Sequence, residues 1–273
     1  MMNEIPAVSI RRSYADCRFG QLHLRSARPA PGTVPARTPL LCLHQSPQTG
    51  RIFTEVLKDL GRDRFVYAPD TPGFGESDAP AEMPDISDYA GAMGDLLDQL
   101  GHVPVDVLGY HTGALTATEL ALTRPWQIRR LVLIGMPLVD QAFIDAFNKQ
   151  PWPAPFTEDA TFVTNEWNRS MHWAGPGMTL PMIVRGFVDK LKAGDKAFWG
   201  GRAAMRYGFD QKLPKVTQPI LAIGPKDDLW DISPRCEGLM QNGTFERWPD
   251  NGFGIFDVAA ERINAKIRGH LDA

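Results

Sequence analysis

The sequence predicts an α/β fold: a mostly parallel sheet with helices on both faces, interrupted by one helical insertion. Three observations carry this. Short apolar runs recur along the chain, and they alternate with segments whose apolar residues fall at helical spacing. A stretch past the middle breaks that rhythm with Trp, Phe, Met, Pro and Gly. Apolar runs that do not alternate with polar residues suit strands buried on both faces, as helices packed on either side of a parallel sheet require.

The elements follow in order. "QLHLRSA" (21–27) reads as an early strand, ended by the Pro-rich turn "RPAPGTVPARTP". "LLCLH" (40–44) and "RFVYAP" (64–69) are apolar enough to be buried strands. "SDYAGAMGDLLDQL" (87–100) starts at a Ser or Asp cap and carries apolar residues at helical spacing. "VPVDVLG" (103–109), "RRLVLIG" (129–135) and "QPILAIG" (218–224) are three more core strands. "GTFERWP" (243–249) is a final strand, and "AAERINAKIRGHL" (259–271) a closing helix. The insertion holds "PWPAPF", "WNRSMHWAGPGM" and "AFWGGRAAMRYGF". Following a core strand, it predicts an apolar roof over the carboxyl edge of the sheet, where open α/β sheets place ligands. The expected organisation is a core from 1–136, a helical cap from 137–213 and the rest of the core from 214–273.

Composition narrows the function. With 273 residues, 43% hydrophobic, 22% charged and a net charge of −3, the chain is long enough for a full core. It lacks the basic footprint expected of a nucleic-acid or anionic-membrane binder. No apolar run approaches a membrane span, and the first twenty residues do not read as a secretory leader. Cys17, Cys42 and Cys236 are an odd number without metal-like spacing, which points to thiols in a reducing cytoplasm. The expected partner is a small molecule, bound by a monomer or homodimer without a cofactor. The glycines of "TPGFGESD" do not follow the dinucleotide fingerprint.

The informative stretch is "DVLGYHTGALTATELA" (106–121). Its first half is strand-like and its second helical, and between them lies Gly109-Tyr110-His111-Thr112-Gly113. That is the form G-x-S-x-G with histidine at the centre, a sharp strand-to-helix turn that exposes its middle residue over the sheet.

With "LLCLHQSPQTG", "APDTPGFGESD" and "GPKDDLW" in the same order, the chain resembles the α/β-hydrolase superfamily. The resemblance is to its capped branch, with epoxide hydrolases, haloalkane dehalogenases and C–C hydrolases. These stretches are similar to the family's H-G-x-P loop, its D-x-P-G-x-G-x-S turn and its acid loop. The resemblance implies a nucleophile at residue 111, an acid at Asp227 with Asp228 as a substitute, and an oxyanion hole from backbone amides at Ser46 and Thr112. It also implies a catalytic histidine where "WPDNGFGIFD" has Phe253. Three positions depart from the pattern: His111 stands for the serine, Phe253 for the histidine and Gln45 for the glycine of the H-G-x-P loop.

The resemblance therefore fixes the fold more firmly than the reaction. Imidazole is longer than a hydroxymethyl group, so His111 can reach toward the space of the missing histidine, against Phe253 and toward Asp227. There it would act as base or nucleophile. Gln45, Phe253, Tyr110, Asp228 and His172 are the further pocket candidates, and His44 is expected to buttress its loop. His23, His102 and His270 read as surface or strand-end residues. A metal held by His111, His44 and the two aspartates lacks a ligand-spacing motif, so none is expected. The expected activity is hydrolase-type chemistry on a small apolar carbonyl or ester compound. Lyase or isomerase chemistry through a His–Asp base, or ligand binding without turnover, is the alternative.

Overall fold

The computed structural model describes residues 8–150 and 157–273. Among them, eight strands form one sheet. The chain runs β1 (Arg11–Cys17), β2 (Gly20–Ala27), β3 (Leu40–Leu43), α1 (Thr54–Leu60), β4 (Val66–Pro69), α2 (Ile86–Leu100), β5 (Val105–Tyr110), α3 (Thr112–Thr123) and β6 (Ile128–Ile134). The insertion follows as α4 (Gln141–Asn148), α5 (Thr161–His172), α6 (Leu180–Ala193), α7 (Trp199–Arg206) and α8 (Phe209–Lys212). The chain closes with β7 (Ile220–Pro225), β8 (Gly243–Trp248), α9 (Ile255–Val258) and α10 (Ala260–Leu271). "PWPAPF" (151–156) lies outside the described residues, as does the start of the N-terminal stretch.

The strand order is β1-β2-β4-β3-β5-β6-β7-β8. β1, β2 and β4 pair antiparallel at one edge, and every pairing from β4 through β8 is parallel. The order shows where a site must lie. The chain leaves β3 toward β4 on one side and returns across it to β5 on the other. The loops after β3 and β5 thus diverge at a crevice beyond the carboxyl ends of the strands.

The apolar strands divide their side chains between two cores. Leu41 and Leu43 pack with α2 and α3, against Leu96, Leu97 and Leu115. Leu40 and Cys42 pack on the other face with Leu57 of α1 and Ile263 and Ile267 of α10. Each Leu so buried contributes about 1.5–3 kcal/mol of transfer free energy. α2 starts one residue before its expected first residue, at an Asp85 cap whose backbone N–H donates to Asp88 (2.9 Å). The closing helix forms as α10 one residue after its expected start, with Ala259 as its N-cap, and the short α9 before it has no counterpart in the sequence reading.

β1 has no counterpart in the sequence reading. It is an edge strand with most of its residues exposed, so no apolar run marks it. His23, read as a surface or strand-end residue, lies within β2 and is buried, with Nδ1 2.9 Å from Asp70 Oδ2. Among the described residues no helix is long and apolar enough to cross a membrane.

Candidate active site

His111 joins β5 to α3 with φ 51° and ψ −115°, a conformation that L residues rarely adopt. Such strain costs on the order of 1–3 kcal/mol and persists only where the surroundings enforce it. They do so here through two glycines. A Cβ on Gly109 would lie 2.4 Å from the Gly113 carbonyl oxygen, and one on Gly113 2.0 Å from that of Leu43. β5, α3 and β3 therefore meet backbone to backbone, and the turn has no room to relax. The His111 N–H donates to Ile134 O (2.9 Å), which pins the turn to β6.

From that position the ring runs sideways across the ends of the strands. Nε2 lies 2.8 Å from Asp227 Oδ2, in the loop after β7. Gly135, directly after β6, makes the reach possible. A side chain there would stand 2.4 Å from His111 Cδ2, and the φ of +59° suits glycine. This residue was missed in the sequence, where it reads only as the end of a strand. Tyr110 meets the imidazole edge-on at 4.4 Å between centroids, and Phe253 lies against it at 5.4 Å.

Asp227 is held as tightly as the histidine. Its Oδ1 accepts the Leu229 N–H (2.9 Å), and the Tyr110 hydroxyl lies 3.5 Å from Oδ2. The side chain is fully buried. Asp228 points the other way, lining the cavity with its side chain 47% exposed and Oδ1 3.9 Å from His111 Nδ1.

The electrostatics follow from this geometry. Burial pulls the His111 imidazole down, but the charge and hydrogen bond of Asp227, with Asp228 added, outweigh it and leave the ring above the ordinary histidine value. Burial pushes Asp228 up, assisted by Asp227 and opposed by His111. Tyr110 is raised by burial and both aspartates, so it stays a neutral phenol. Nε2–H donated to Asp227 leaves Nδ1 as the nitrogen that faces the cavity.

The loop after β3 is arranged differently from expectation. The Ser46 N–H, expected to be an open oxyanion donor, already donates to Thr112 Oγ1 (2.8 Å), whose hydroxyl donates to Ser46 Oγ (3.1 Å). Thr112 opens α3, so its own amide belongs to the helix N-terminus, where N–H groups lack intrahelical partners. His44 is neutral by burial; its Nε2 accepts the Thr71 N–H, and Nδ1 donates to Gln45 O. Those bonds brace the loop and remove His44 as a ligand. Gln45 lines the cavity with a buried Oε1 that has no hydrogen-bond partner among the described residues.

Above this floor is a cavity of about 350 Å³. The insertion supplies its roof through Phe143, Phe162, Trp173, Phe187, Phe198 and Met205. Gln45, Tyr110, Asp228 and Phe253 all line it, whereas His172 does not. That histidine is exposed and packs against Trp173 at 5.1 Å. The cations of the wall are committed. Arg51 pairs with Asp189 (2.8 Å), Arg185 with Asp257 (2.6 Å) and Lys190 with Glu166 (2.8 Å).

His111, Asp227 and Asp228 offer three ligand atoms within 4.8 Å of one another. As a metal set they fit poorly, because both Asp227 oxygens and His111 Nε2 are already engaged with each other and with Leu229. The arrangement instead resembles an acid–base dyad with a single free nitrogen.

A family model described as alpha/beta hydrolase fold matches residues 38–167, which include the His44 loop and the turn at His111 but not Asp227 or Phe253. The chain is 31% identical over 227 residues to a soluble epoxide hydrolase of Corynebacterium sp. (strain C12), covering 75% of this chain and 79% of that protein. It is also 31% identical over 100 residues to epoxide hydrolase 4 of Mus musculus. That alignment covers 36% of this chain and only 28% of the mouse protein. An esterase from Exiguobacterium antarcticum has the same fold, with a TM-score of 0.79 at 18% identity over 96% of this chain and 100% of that one. Sheet order, strand-to-helix turn and a relative aligned along most of both lengths agree: the chain belongs to the α/β-hydrolase fold family, with epoxide hydrolase-like homologues.

Proposed function

We propose that this protein is a hydrolase-type enzyme acting on a small, largely apolar carbonyl or ester compound. His111 replaces the family's serine, and Phe253 stands in the place of its histidine. Asp227 fixes the imidazole through Nε2, and Nδ1 works as the base or nucleophile. The helical insertion, residues 137–213, serves as the cap that shields the site from bulk solvent.

The observation that carries this reading is the 2.8 Å contact between a strained, cavity-facing histidine and a fully buried carboxylate. A site relieved of selection for catalysis has no reason to retain backbone strain, a glycine cleared for the ring and a buried counter-ion together. The names of the relatives, epoxide hydrolases and esterases, support hydrolysis as the reaction class.

One observation favours a second reading, ligand binding without turnover: the Ser46 N–H is spent on Thr112 Oγ1. For a tetrahedral oxyanion to be held there, the threonine hydroxyl must rotate away. Gln45 is a further donor within the cavity.

Turnover of p-nitrophenyl butyrate and of styrene oxide by the wild type and by His111→Ala tests the proposal. Activity that falls on the order of 10²-fold or more in the variant is expected, with no labelling of residue 111 by a fluorophosphonate. Equal rates in the two proteins, or a labelled serine in the cavity, would overturn the assignment of His111.

A further inference from the structure

Asp228 is the carboxylate that the reading above does not use. Four carboxylates line the cavity: Glu166, Asp189, Asp228 and Asp257. Three are locked to Lys190, Arg51 and Arg185. Asp228 instead faces His111 Nδ1, across 3.9 Å. That gap is too long for a hydrogen bond. It does admit one oxygen about 2.8 Å from both atoms, with the two bonds meeting at roughly 90°. A water placed there donates one proton to Nδ1 and the other to Asp228 Oδ1, and keeps its lone pairs toward the cavity.

The ring itself has little freedom to attack. Tyr110, Phe253 and the backbone of Gly135 enclose it, and Asp227 holds its far nitrogen. A nucleophile must travel to covalent-bond distance of the carbon it attacks, whereas a base only has to receive a proton along an existing hydrogen bond. A clamped imidazole suits the second task.

We infer that Asp228 is a further catalytic residue, which with His111 Nδ1 holds and orients the hydrolytic water, so that water attacks the substrate directly and no covalent adduct forms on the protein. This rests on the hydrolytic reading of the site. For an ester, the O–H proton passes to Nδ1 as the water oxygen bonds to the carbonyl carbon. The carbonyl π pair moves to its oxygen, giving a tetrahedral oxyanion. On collapse that pair re-forms the C=O and the C–O bond to the leaving group breaks. The departing alkoxide takes the proton from Nδ1, or leaves as the anion when it is as weak a base as p-nitrophenolate. In that case the Nδ1 proton passes through Asp228 to solvent. The products are one carboxylic acid and one alcohol, with the imidazole returned to its starting state.

The test uses the full chain and p-nitrophenyl butyrate. Asp228→Asn keeps the side chain's shape but loses the negative charge that orients the water and exchanges one carboxylate acceptor for an NH2 donor; kcat is expected to fall about 10²-fold with KM within threefold. Asp228→Glu should recover part of the loss. Circular dichroism and thermal unfolding of both variants establish that they fold. The wild type should show no burst of p-nitrophenol, a normal solvent deuterium isotope effect on kcat, and no butyryl adduct by mass spectrometry after acid quench. An adduct on His111, or a folded Asp228→Asn variant turning over within twofold of wild type, overturns the inference while leaving the hydrolytic reading in place. A wild type inactive on both this ester and styrene oxide overturns the hydrolytic reading, and the inference with it.

Discussion

At the scale of single residues, the proposed exchange of serine for histidine would move the base rather than simply remove the nucleophile. In a Ser-His-acid triad the acid orients a histidine that activates the serine. Here the imidazole springs from the turn itself and reaches the acid directly, with Phe253 filling the space beside it at 5.4 Å. It follows that His111→Ser should leave no esterase activity, because no base remains next to the new hydroxyl. The double variant His111→Ser with Phe253→His rebuilds a triad with Asp227 and should recover measurable hydrolysis of p-nitrophenyl butyrate, above either single variant. A single His111→Ser protein as active as the double variant would show that some other group supplies the base.

At the scale of elements, the insertion is anchored to the core by ion pairs as well as by apolar contact. Asp189 of α6 receives both Arg51 Nη2 (2.8 Å) and Nε (3.2 Å), and the Thr49 hydroxyl (3.1 Å), all from the loop after β3. Asp189→Asn leaves the guanidinium without its charge partner. We expect a loss of about 1–3 kcal/mol in unfolding free energy, less than for a fully buried pair because Arg51 is partly exposed. KM should rise more than kcat falls, as read by denaturant titration and steady-state kinetics. The elements themselves were largely legible in the sequence. β3, β5, β6 and β7 are apolar because both faces of the sheet are covered, and α2 carries its own cap. β1 was not legible, since an exposed edge strand has no core face to write into its sequence. The site was legible in its residue types but not in its bonds. Neither the Ser46 N–H spent on Thr112 nor the clearance at Gly135 leaves a mark in residue order, because each depends on how distant loops converge.

At the scale of the whole molecule, one sheet order produces the site. The crossing from β4 back to β5 opens the crevice, β7 brings Asp227 under it, and the insertion between β6 and β7 closes it with aromatic side chains. A titration of the entire assembly reports on the central claim, that Asp227 holds His111 as the working base. With the imidazole pKa raised by Asp227, the proposed activity is expected to appear only as pH rises through a value above that of ordinary histidine. The same shift means that the charged pair stabilises the fold fully below the unfolded histidine value and loses that contribution as pH rises through the folded one. The most direct measurement is the pH dependence of kcat/KM for p-nitrophenyl butyrate in the wild type and in Asp227→Asn. If Asp227 holds His111 as the base, the rising limb moves to lower pH in the variant and its plateau falls on the order of 10²–10⁴-fold. A limb in the same place, with a plateau within a few-fold of wild type, would contradict it.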